Sequence, residues 1–401
     1  MKTLIQFVSE QTMPNLLPAM AIQPERIVHL CTPPMQSVSN HLVRAYNVAG
    51  VKTKVDVVPL STMPGLKDTA DVMNAVFQEY ESPVVNFTGG TKLMSIAAYA
   101  TSFNAKKPSL YVDTTSGCFV DGRTGSSLVN LLPDRNDKLD VVVNRLSVEI
   151  IAIANGVERV TLGRDWNPFV DIARQFLLLD ESVRAQCIDF GHKLLAGQPQ
   201  AFQVRRNWFP TVYQRPAEGI PDIFRQGLVD AGLFEWRNGH FFPHSSWVKP
   251  ILQLPRDPDT WTQLVPALEM ANMPFKFLES GWWEVAVADY FDRVRGCRGI
   301  LWDADAGSQS TKSTNLEEDV LGVTGTNLLY VSCKLGRMRE KLSGWLEEAN
   351  SRGSRIGGSF ARKVLAVFYP QAPFQFKRLK NRCAELRMEY LDGQTVRAAL
   401  P

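Results

Sequence analysis

The sequence predicts an α/β protein with two α/β units joined by a smaller connector that contains a helix and a β-hairpin. Short apolar strands alternate with helix-period segments up to about residue 115. A mixed region with several proline-rich breaks follows from about residue 150 to 265, and strand-like and helical segments return near Pro274. Strands that are apolar on both faces and alternate with helices are typical of a parallel sheet covered by helices on both sides.

Five segments of the N-terminal unit have the composition of buried strands: TLIQFVS, RIVHLCT, KVDVVPL, PVVNFT and SLYVDT. The segments between them have helical periodicity: NLLPAMAI, SVSNHLVRAYNVAG, LKDTADVMNAVFQEY and KLMSIAAYATSFNA. Ligands of open parallel sheets bind beyond the carboxyl ends of the strands. Polar residues follow three of these ends, at positions 9–11, 32–35 and 88–92, and we expect them to gather on one edge of the sheet.

The turn FTGGTK, between the fourth strand and its helix, has the composition of an anion site. The first backbone N–H groups of a helix have no partner within the helix, and the helix dipole favours negative charge there. Lys92 adds a positive charge. The phosphate-loop spacings G-x-x-x-x-G-K-[ST] and G-x-G-x-x-G are both absent. On its own, the turn favours an anion site and an ordinary strand-to-helix connection equally.

The segment IPDIFRQGLVDAGLFEWRNGHFFPH predicts a helix that ends near Gly232 and is followed by two aromatic strands. Asn238 and Gly239 between those strands are the residues that a type I′ turn requires. A helix with a hairpin is the outline of a winged helix. Such units bind DNA in some proteins and act as connectors or dimer surfaces in others. Because Arg225 and Arg237 alone are weak evidence for DNA binding, we favour a connector.

Three residues of the C-terminal segment could carry phosphodiester chemistry. Glu284 lies in GWWEVAVADYFDRV, which we predict to be an amphipathic helix, Asp319 precedes a turn, and Lys334 ends the strand LLYVSCK. Carboxylate oxygens hold divalent metal ions, and a nearby lysine can orient a nucleophile. This is the arrangement of the PD-(D/E)xK nucleases, although exposed acids and lysines are also common on any surface. Trp282 and Trp283 are either base-stacking residues or core.

Composition excludes several classes of protein. The 401 residues carry a net charge of +3 and are 45% hydrophobic, and neither a signal peptide nor a membrane-spanning run is apparent, so we expect a cytoplasmic protein. The six cysteines lack C-x-x-C spacing, which argues against a disulfide framework or a zinc site. Five histidines are interpreted as structural. Basic residues between 334 and 387 form either a polyanion surface or a solvated helix face.

Several motifs in the same order resemble a known family. VSEQTMPNLL, CTPPM and NFTGGTKLM look like the ligand-facing segments of a CARF domain, the Rossmann-like sensor of cyclic oligoadenylates in type III CRISPR defence. The resemblance implies cyclic tetra-adenylate as the allosteric activator and a homodimer, because a two-fold ligand suits a dimer cleft. The positions that match ligand-binding residues are Ser9, Glu10, Gln11, Asn15, Thr32, Met35, Thr88, Gly89, Gly90, Thr91 and Lys92.

The C-terminal motifs GWWEVAVADY, NLEEDVLGVTGTNLLYVSCK and RIGGSFARKVLAV are similar to the nuclease half of CARF-fused PD-(D/E)xK effectors. The resemblance implies that Glu284 and Asp319 bind Mn²⁺ or Mg²⁺ and that Lys334 is catalytic. One position departs from the pattern, because Ser332 stands where the family has an acid two residues before the lysine. Ser332 could hold a metal-bound water, and the nearest substitutes for the missing acid are Glu317 and Glu318.

The sequence thus predicts a Rossmann-like CARF domain at residues 1–145, a winged-helix-like connector at 146–265 and a PD-(D/E)xK nuclease-like α/β domain at 266–401. The expected function is metal-dependent cleavage of DNA or RNA, activated by cyclic tetra-adenylate. The alternative is a cyclic-oligoadenylate-responsive regulator that binds nucleic acid and has a degenerate nuclease domain. A third hypothesis gives the sensor ring-opening activity on its own ligand, with Lys92 stabilising the departing charge.

Overall fold

The computed structural model describes residues 3–113, 118–126, 142–161, 163–185, 188, 215–216, 222–252, 273–307, 317–335, 342–368 and 373–400. Within these ranges the chain forms two six-stranded sheets and one three-stranded sheet. The predicted fold class, with a Rossmann-like N-terminal unit and a second α/β unit at the C-terminus, is confirmed. In the described part of the chain, no helix is both long enough and apolar enough to cross a membrane.

The N-terminal sheet has the strand order β3-β2-β1-β4-β5-β6, in which the first five strands are parallel and β6 is antiparallel to β5. Its strands are β1 Thr3–Phe7, β2 Arg26–Cys31, β3 Lys54–Pro59, β4 Pro83–Asn86, β5 Ser109–Asp113 and β6 Cys118–Asp121. Its helices are α1 Met13–Ile22, α2 Gln36–Val48, α3 Leu66–Glu79 and α4 Lys92–Asn104. All nine predicted segments are therefore present, and β6 begins the predicted hairpin, whose residues 127–132 lie outside the described part.

Helices cover both faces of this sheet, as predicted. Leu4 and Ile27 pack in one apolar cluster with α1 and α2, whereas Ile5 and Val28 pack in a second cluster with α3 and α4. Strand β3 differs from the prediction that the strands are apolar on both faces. None of its six residues is fully buried, because it is an edge strand that pairs only with β2. Val55 and Val58 are half-buried at the margins of the two apolar clusters.

The connector contains the predicted helix and hairpin. Helix α7 spans Asp222–Asp230, and strands β9 Phe234–Arg237 and β10 His240–Pro243 pair antiparallel. Asn238 and Gly239 both have positive φ, of 50° and 78°, as a type I′ turn requires. A short strand β8 Arg215–Pro216 joins β10, and helix α8 Ser245–Leu252 follows the hairpin.

The first part of the predicted connector packs against both neighbouring units. It contains helix α5 Val148–Ala154, strand β7 Arg159–Val160 and helix α6 Val170–Leu178. All residues of helix α5 except Glu149 are buried, and the helix contacts α1 and α2 as well as the C-terminal sheet. Strand β7 pairs with the C-terminal sheet. The boundaries at residues 145 and 265 remain predictions, but the chain from 148 to 178 is part of the α/β framework.

The C-terminal sheet has the strand order β15-β14-β13-β12-β11-β7. Strands β11, β12 and β13 form an antiparallel meander, and β13, β14 and β15 are parallel. The strands are β11 Arg298–Gly307, β12 Glu317–Thr324, β13 Asn327–Lys334, β14 Arg362–Val367 and β15 Met388–Asp392. The helices are α9 Trp282–Asp289, α10 Leu342–Gly357, α11 Pro373–Glu385 and α12 Gly393–Ala399, and π-helical turns at Phe277–Gly281 and Tyr290–Val294 flank α9.

Helix α9 is not amphipathic, contrary to the prediction. Every one of its residues is buried except Glu284. A helix that is apolar on all sides belongs in the interior of a protein. The charge of its last residue, Asp289, is balanced by ion pairs of 2.8 Å with Arg174 and with Arg293. Glu284 is therefore the one position at which this helix meets solvent.

Candidate functional site

The three polar segments of the N-terminal unit lie side by side. Residues 9–11 follow β1, the short helical turn Pro33–Met35 follows β2, and residues 88–91 follow β4. Strands β2, β1 and β4 are neighbours, and all are parallel, so their carboxyl ends share one edge of the sheet. The order of the strands reverses at β1, because β2 and β3 follow on one side of it and β4 and β5 on the other. A crevice at such a switch point is where open α/β sheets bind ligands.

The turn before α4 requires glycine and caps the helix. A Cβ atom on Gly89 would lie 2.6 Å from the carbonyl oxygen of Phe7, so a side chain there would collide with the end of β1. Gly90 has φ +86°, which favours glycine. The Thr91 hydroxyl accepts a hydrogen bond of 3.3 Å from the N–H of Met94. Lys92 is exposed at the start of the 13-residue helix, so the turn presents both a cation and a helix N-terminus.

Two predicted ligand residues hold this edge together. The Thr88 hydroxyl accepts a hydrogen bond of 2.8 Å from the N–H of Val112 on β5. Asn15 is fully buried, and its side-chain nitrogen donates a hydrogen bond of 2.8 Å to the carbonyl of Phe7. Their structural role is therefore visible, whereas their contact with a ligand stays a prediction.

The other predicted ligand residues are more accessible. Glu10, Gln11 and Thr91 are exposed, and Ser9, Thr32, Met35, Thr88 and Gly90 are half-buried. The Ser9 hydroxyl donates a hydrogen bond of 3.2 Å to the carbonyl of Gln11 and so shapes the first segment. These side chains provide hydrogen-bonding groups beside the positive turn.

The C-terminal unit contains a cleft of about 470 Å³ between α9, the meander β11–β13 and α10. All three residues that the motif predicted as acid, metal aspartate and lysine, Glu284, Asp319 and Lys334, line it. They come from a helix, the second strand and the third strand of this unit. The further described residues that line the cleft are Met273, Lys276, Glu279, Ser280, Gly281, Trp302, Asp303, Glu348 and Arg352.

Asp319 and Lys334 form an ion pair. The ammonium nitrogen of Lys334 lies 3.9 Å from Asp319 Oδ2, and the N–H of Cys333 donates a hydrogen bond of 2.6 Å to the same oxygen. Burial raises the pKa of Asp319, and the charge of Lys334 and the Cys333 hydrogen bond only partly oppose this rise. The carboxylate is thus held at the floor of the cleft by the strand that carries the lysine.

Glu284 is fixed by a tryptophan. The indole N–H of Trp302 donates a hydrogen bond of 2.8 Å to Glu284 Oε2. Trp302 is itself buried on β11, so its ring cannot swing freely. The hydrogen bond restricts the Glu284 carboxylate to a fixed place in the lining of the cleft.

The position of the missing acid is closed to the cleft. Ser332 is 2% exposed and does not occur among the described residues that line the cleft. It pairs with Leu365 of β14 in the interior of the sheet. The predicted role of Ser332 in holding a metal-bound water therefore lacks solvent access here and stays a prediction.

Glu318, one of the two predicted substitutes, faces elsewhere. Its side chain is fully buried, and its oxygens lie 3.7 Å from Arg352 and 3.9 Å from Arg355. Burial raises the pKa of Glu318 to about 7. The side chain of the other substitute, Glu317, lies outside the described part. The sequence analysis missed Glu348 and Arg352, which come from α10 and form an ion pair of 2.9 Å within the lining of the cleft.

The two tryptophans beside Glu284 belong to the core, so the base-stacking interpretation is wrong. Both are fully buried. Trp282 stacks on Phe176 with ring centroids 5.1 Å apart, and the indole N–H of Trp283 donates a hydrogen bond of 3.2 Å to the carbonyl of Ala366. They anchor α9 against the sheet and thereby fix the position of Glu284.

The donor set of the cleft suits a hard divalent cation in its chemistry. Asp319, Glu284 and Glu348 offer carboxylate oxygens, which Mg²⁺ and Mn²⁺ prefer. Throughout the described ranges, however, no group of three or more His, Cys, Asp or Glu side chains is already arranged to hold a metal ion.

Comparison with known proteins identifies the class of the N-terminal unit. Residues 3–121 match the family model of the Card1 CARF domain. The N-terminal unit is therefore a CARF domain, as the ligand-facing motifs predicted. Comparison with curated protein sequences gave no match to this chain.

Two solved structures share the fold over nearly the whole chain. One is Can2 from Sulfobacillus thermosulfidooxidans in complex with cyclic tetra-adenylate, with a TM-score of 0.66, 16% identity, and coverage of 99% of this chain and 95% of that chain. The other is protein VC1899 from Vibrio cholerae, with a TM-score of 0.68, 13% identity, and coverage of 99% and 96%. The similarity extends the shared fold beyond the CARF domain to the C-terminal unit.

Proposed function

We propose that this chain is a nuclease activated by cyclic tetra-adenylate, and that it hydrolyses phosphodiester bonds of nucleic acid with Mn²⁺ or Mg²⁺. The observation that carries the proposal is the convergence of Glu284, Asp319 and Lys334 on one cleft. These residues were selected from sequence motifs alone, and they lie on three different elements. The CARF domain and the fold shared with Can2, which was solved with cyclic tetra-adenylate, support the choice of ligand.

Each residue of the cleft has a distinct role in this proposal. Asp319 and Glu284 would hold the metal ion, which when bound acts as a Lewis acid toward the phosphate. Lys334 orients the attacking water and stabilises negative charge on the phosphate, because its ammonium group lies next to Asp319. Arg352 on α10 supplies a second positive charge to position the substrate.

Activation by a ligand would act by bringing the carboxylates of the cleft together into a metal site. Within the described residues, no group of three such side chains is arranged to hold a metal ion. Ligand binding at the CARF edge would shift the population toward the assembled state. Helix α5, which contacts both units, is the element through which such a shift would pass.

The test is cleavage of a supercoiled plasmid and of labelled single-stranded DNA and RNA, with Mn²⁺ or Mg²⁺ and excess cyclic tetra-adenylate. We expect Asp319→Ala and Lys334→Ala to lower ligand-stimulated cleavage by at least about a hundredfold, because each removes a charge that acts on the reacting phosphate. Lys54→Ala, on the exposed edge strand of the CARF domain, is the matched control and should cleave normally. Full activity of Asp319→Ala would refute the nuclease proposal.

The second candidate function is a cyclic-oligoadenylate-responsive regulator that binds nucleic acid without cutting it. The buried Ser332 at the family's acid position favours it, since a site with fewer carboxylates binds metal less tightly. Ligand-dependent retardation of DNA in a gel, without cleavage under any of the conditions above, would support the regulator.

A further inference from the structure

We infer that Glu348 on α10 supplies the carboxylate that the cleft lacks at position 332. The inference rests on the proposed nuclease function and adds one residue to its site. In place of an acid on the strand that ends in Lys334, the chain would use an acid on the helix that follows this strand. The residue would act as a metal ligand or hold a metal-bound water.

The geometry of α10 carries the inference. The helix packs along β13 and β14, and two of its side chains, Glu348 and Arg352, line the cleft. Glu348 is half-buried and lines the cleft together with Asp319 and Lys334. Carboxylates that line one cleft offer the oxygen ligands that a divalent cation prefers.

Arg352 holds Glu348 in place. Its guanidinium makes an ion pair of 2.9 Å with Glu348 one helical turn earlier, and it also lies 3.7 Å from the buried Glu318. The arginine thus has one acid on the cleft side and one in the interior. Arg352 acts as a positioning residue for Glu348, because an arginine fork restricts a carboxylate to few orientations.

The alternatives for the missing acid are worse placed. Glu318 is fully buried and pairs with Arg352 and Arg355, and Ser332 is buried as well. Glu279 also lines the cleft, but it lies on the π-helical turn before α9 and not on the element that follows the strand of Lys334. Of these acids, Glu348 is the one that lines the cleft from α10, the helix that follows the strand carrying Lys334.

The experiment compares Glu348→Gln with the matched control Glu347→Gln, whose side chain is exposed on the same helix. Mn²⁺ binding to the whole protein with saturating cyclic tetra-adenylate is measured by titration calorimetry without substrate, and cleavage is measured separately. We expect Glu348→Gln to weaken Mn²⁺ binding by roughly ten- to a hundredfold and to lower cleavage by a similar factor. Glu347→Gln should change neither, and Glu348→Asp should keep part of the Mn²⁺ affinity.

The outcomes separate this inference from the proposed function. If the unmodified protein binds Mn²⁺ and cleaves, and Glu348→Gln does both equally well, the assignment of Glu348 is wrong while the nuclease proposal stands. If the unmodified protein neither binds Mn²⁺ nor cleaves, both are wrong. Retained affinity for cyclic tetra-adenylate and an unchanged melting temperature will show that Glu348→Gln is folded, since glutamine can still hydrogen-bond Arg352.

Discussion

Lys92 is the exposed cation at the first position of α4, beside the glycine turn of the CARF domain. We predict that Lys92→Ala weakens binding of cyclic tetra-adenylate by about tenfold or more, because a hydrogen bond to a charged group contributes about 1.5–3 kcal/mol. Titration calorimetry measures the change. Lys67→Ala, in the exposed first turn of α3, is the control and should bind normally.

The result for Lys92 also decides what the turn is for. The turn FTGGTK could have been a plain strand-to-helix connection. If Lys92→Ala binds the ligand as tightly as the unmodified protein, then the glycines serve only the close approach to Phe7.

His29 gives the CARF domain a pH-dependent stability. Its buried ring bonds Ser39 at 2.8 Å and Tyr46 at 3.0 Å, and burial lowers the pKa of His29 to about 4. The unfolded chain therefore binds the extra proton between about pH 6.5 and 4 while the folded chain does not, so stability falls as the pH falls through this window. Below pH 4 the free energy of unfolding is lower by about 3 kcal/mol than at neutral pH because of this one group, at 1.36 kcal/mol per pKa unit.

We predict that His29→Gln flattens the pH dependence of the melting temperature between pH 6.5 and 4, although it lowers stability at neutral pH. Thermal melts at a series of pH values test this. His244→Gln changes a histidine that bonds Ser246 within its own turn, and it should keep the slope of the unmodified protein. An unchanged slope in His29→Gln would assign the acid sensitivity to other groups.

Single residues show what the sequence could and could not predict about the cleft. Glu284, Asp319 and Lys334 were found because their spacing follows the order of elements in a known motif, and that order determines which strand ends meet. Glu348 was missed because its part in the cleft depends on how α10 packs across β13, which no local pattern encodes. The burial of Ser332 likewise depends on tertiary packing around β13.

Among the elements, α5 links the two candidate sites. Asn155 follows this helix, and its side-chain oxygen accepts a hydrogen bond of 3.4 Å from the hydroxyl of Thr12, next to the first ligand segment. The same oxygen abuts Gly358, directly after α10, so closely that a Cβ atom there would lie 2.5 Å away. Helix α10 in turn carries Glu348 and Arg352 into the cleft.

We predict that Asn155→Ala lowers ligand-stimulated cleavage by about tenfold while cyclic tetra-adenylate still binds within about twofold. A coupling free energy between sites is typically about 1–3 kcal/mol, and removing a shared contact forfeits part of it. Parallel calorimetry and cleavage assays separate the two quantities. Asn47→Ala, exposed on α2, is the control. Equal stimulation of Asn155→Ala and the unmodified protein would mean that the signal takes another route.

The elements of the CARF domain were predicted well because local periodicity and burial agree there. The failures were elements whose surroundings the sequence does not show. β3 is apolar in composition but lies at an edge, and α9 carries two acids but is buried except at Glu284. The basic stretch is mixed: Arg362 pairs with Glu389, and the ammonium of Lys363 bonds Asn350 at 2.6 Å, so these two serve the fold. Residues 336–341 of that stretch lie outside the described part.

At the scale of the whole molecule, the proposed ligand has two-fold symmetry, and the CARF edge is a single copy of a site. We predict a parallel homodimer that binds one cyclic tetra-adenylate per two chains, because a two-fold ligand is best matched by two copies of one surface. Light scattering with and without ligand gives the mass, and calorimetry gives the stoichiometry. A monomer that binds one ligand per chain would contradict this prediction.

The two α/β units share one apolar cluster. One cluster of buried side chains runs from Leu4 and Ile27 of the first sheet, through Ile151 of α5, to Leu321 and Tyr330 of the second. Cutting the chain at the predicted boundary at residue 145 would expose apolar side chains on both parts, and such exposed apolar surface promotes aggregation. Replacing the CARF domain by direct fusion of another sensor domain would therefore destabilise this protein. An exchange of sensors between such proteins would have to carry α5, or a matching replacement for it, along with the sensor.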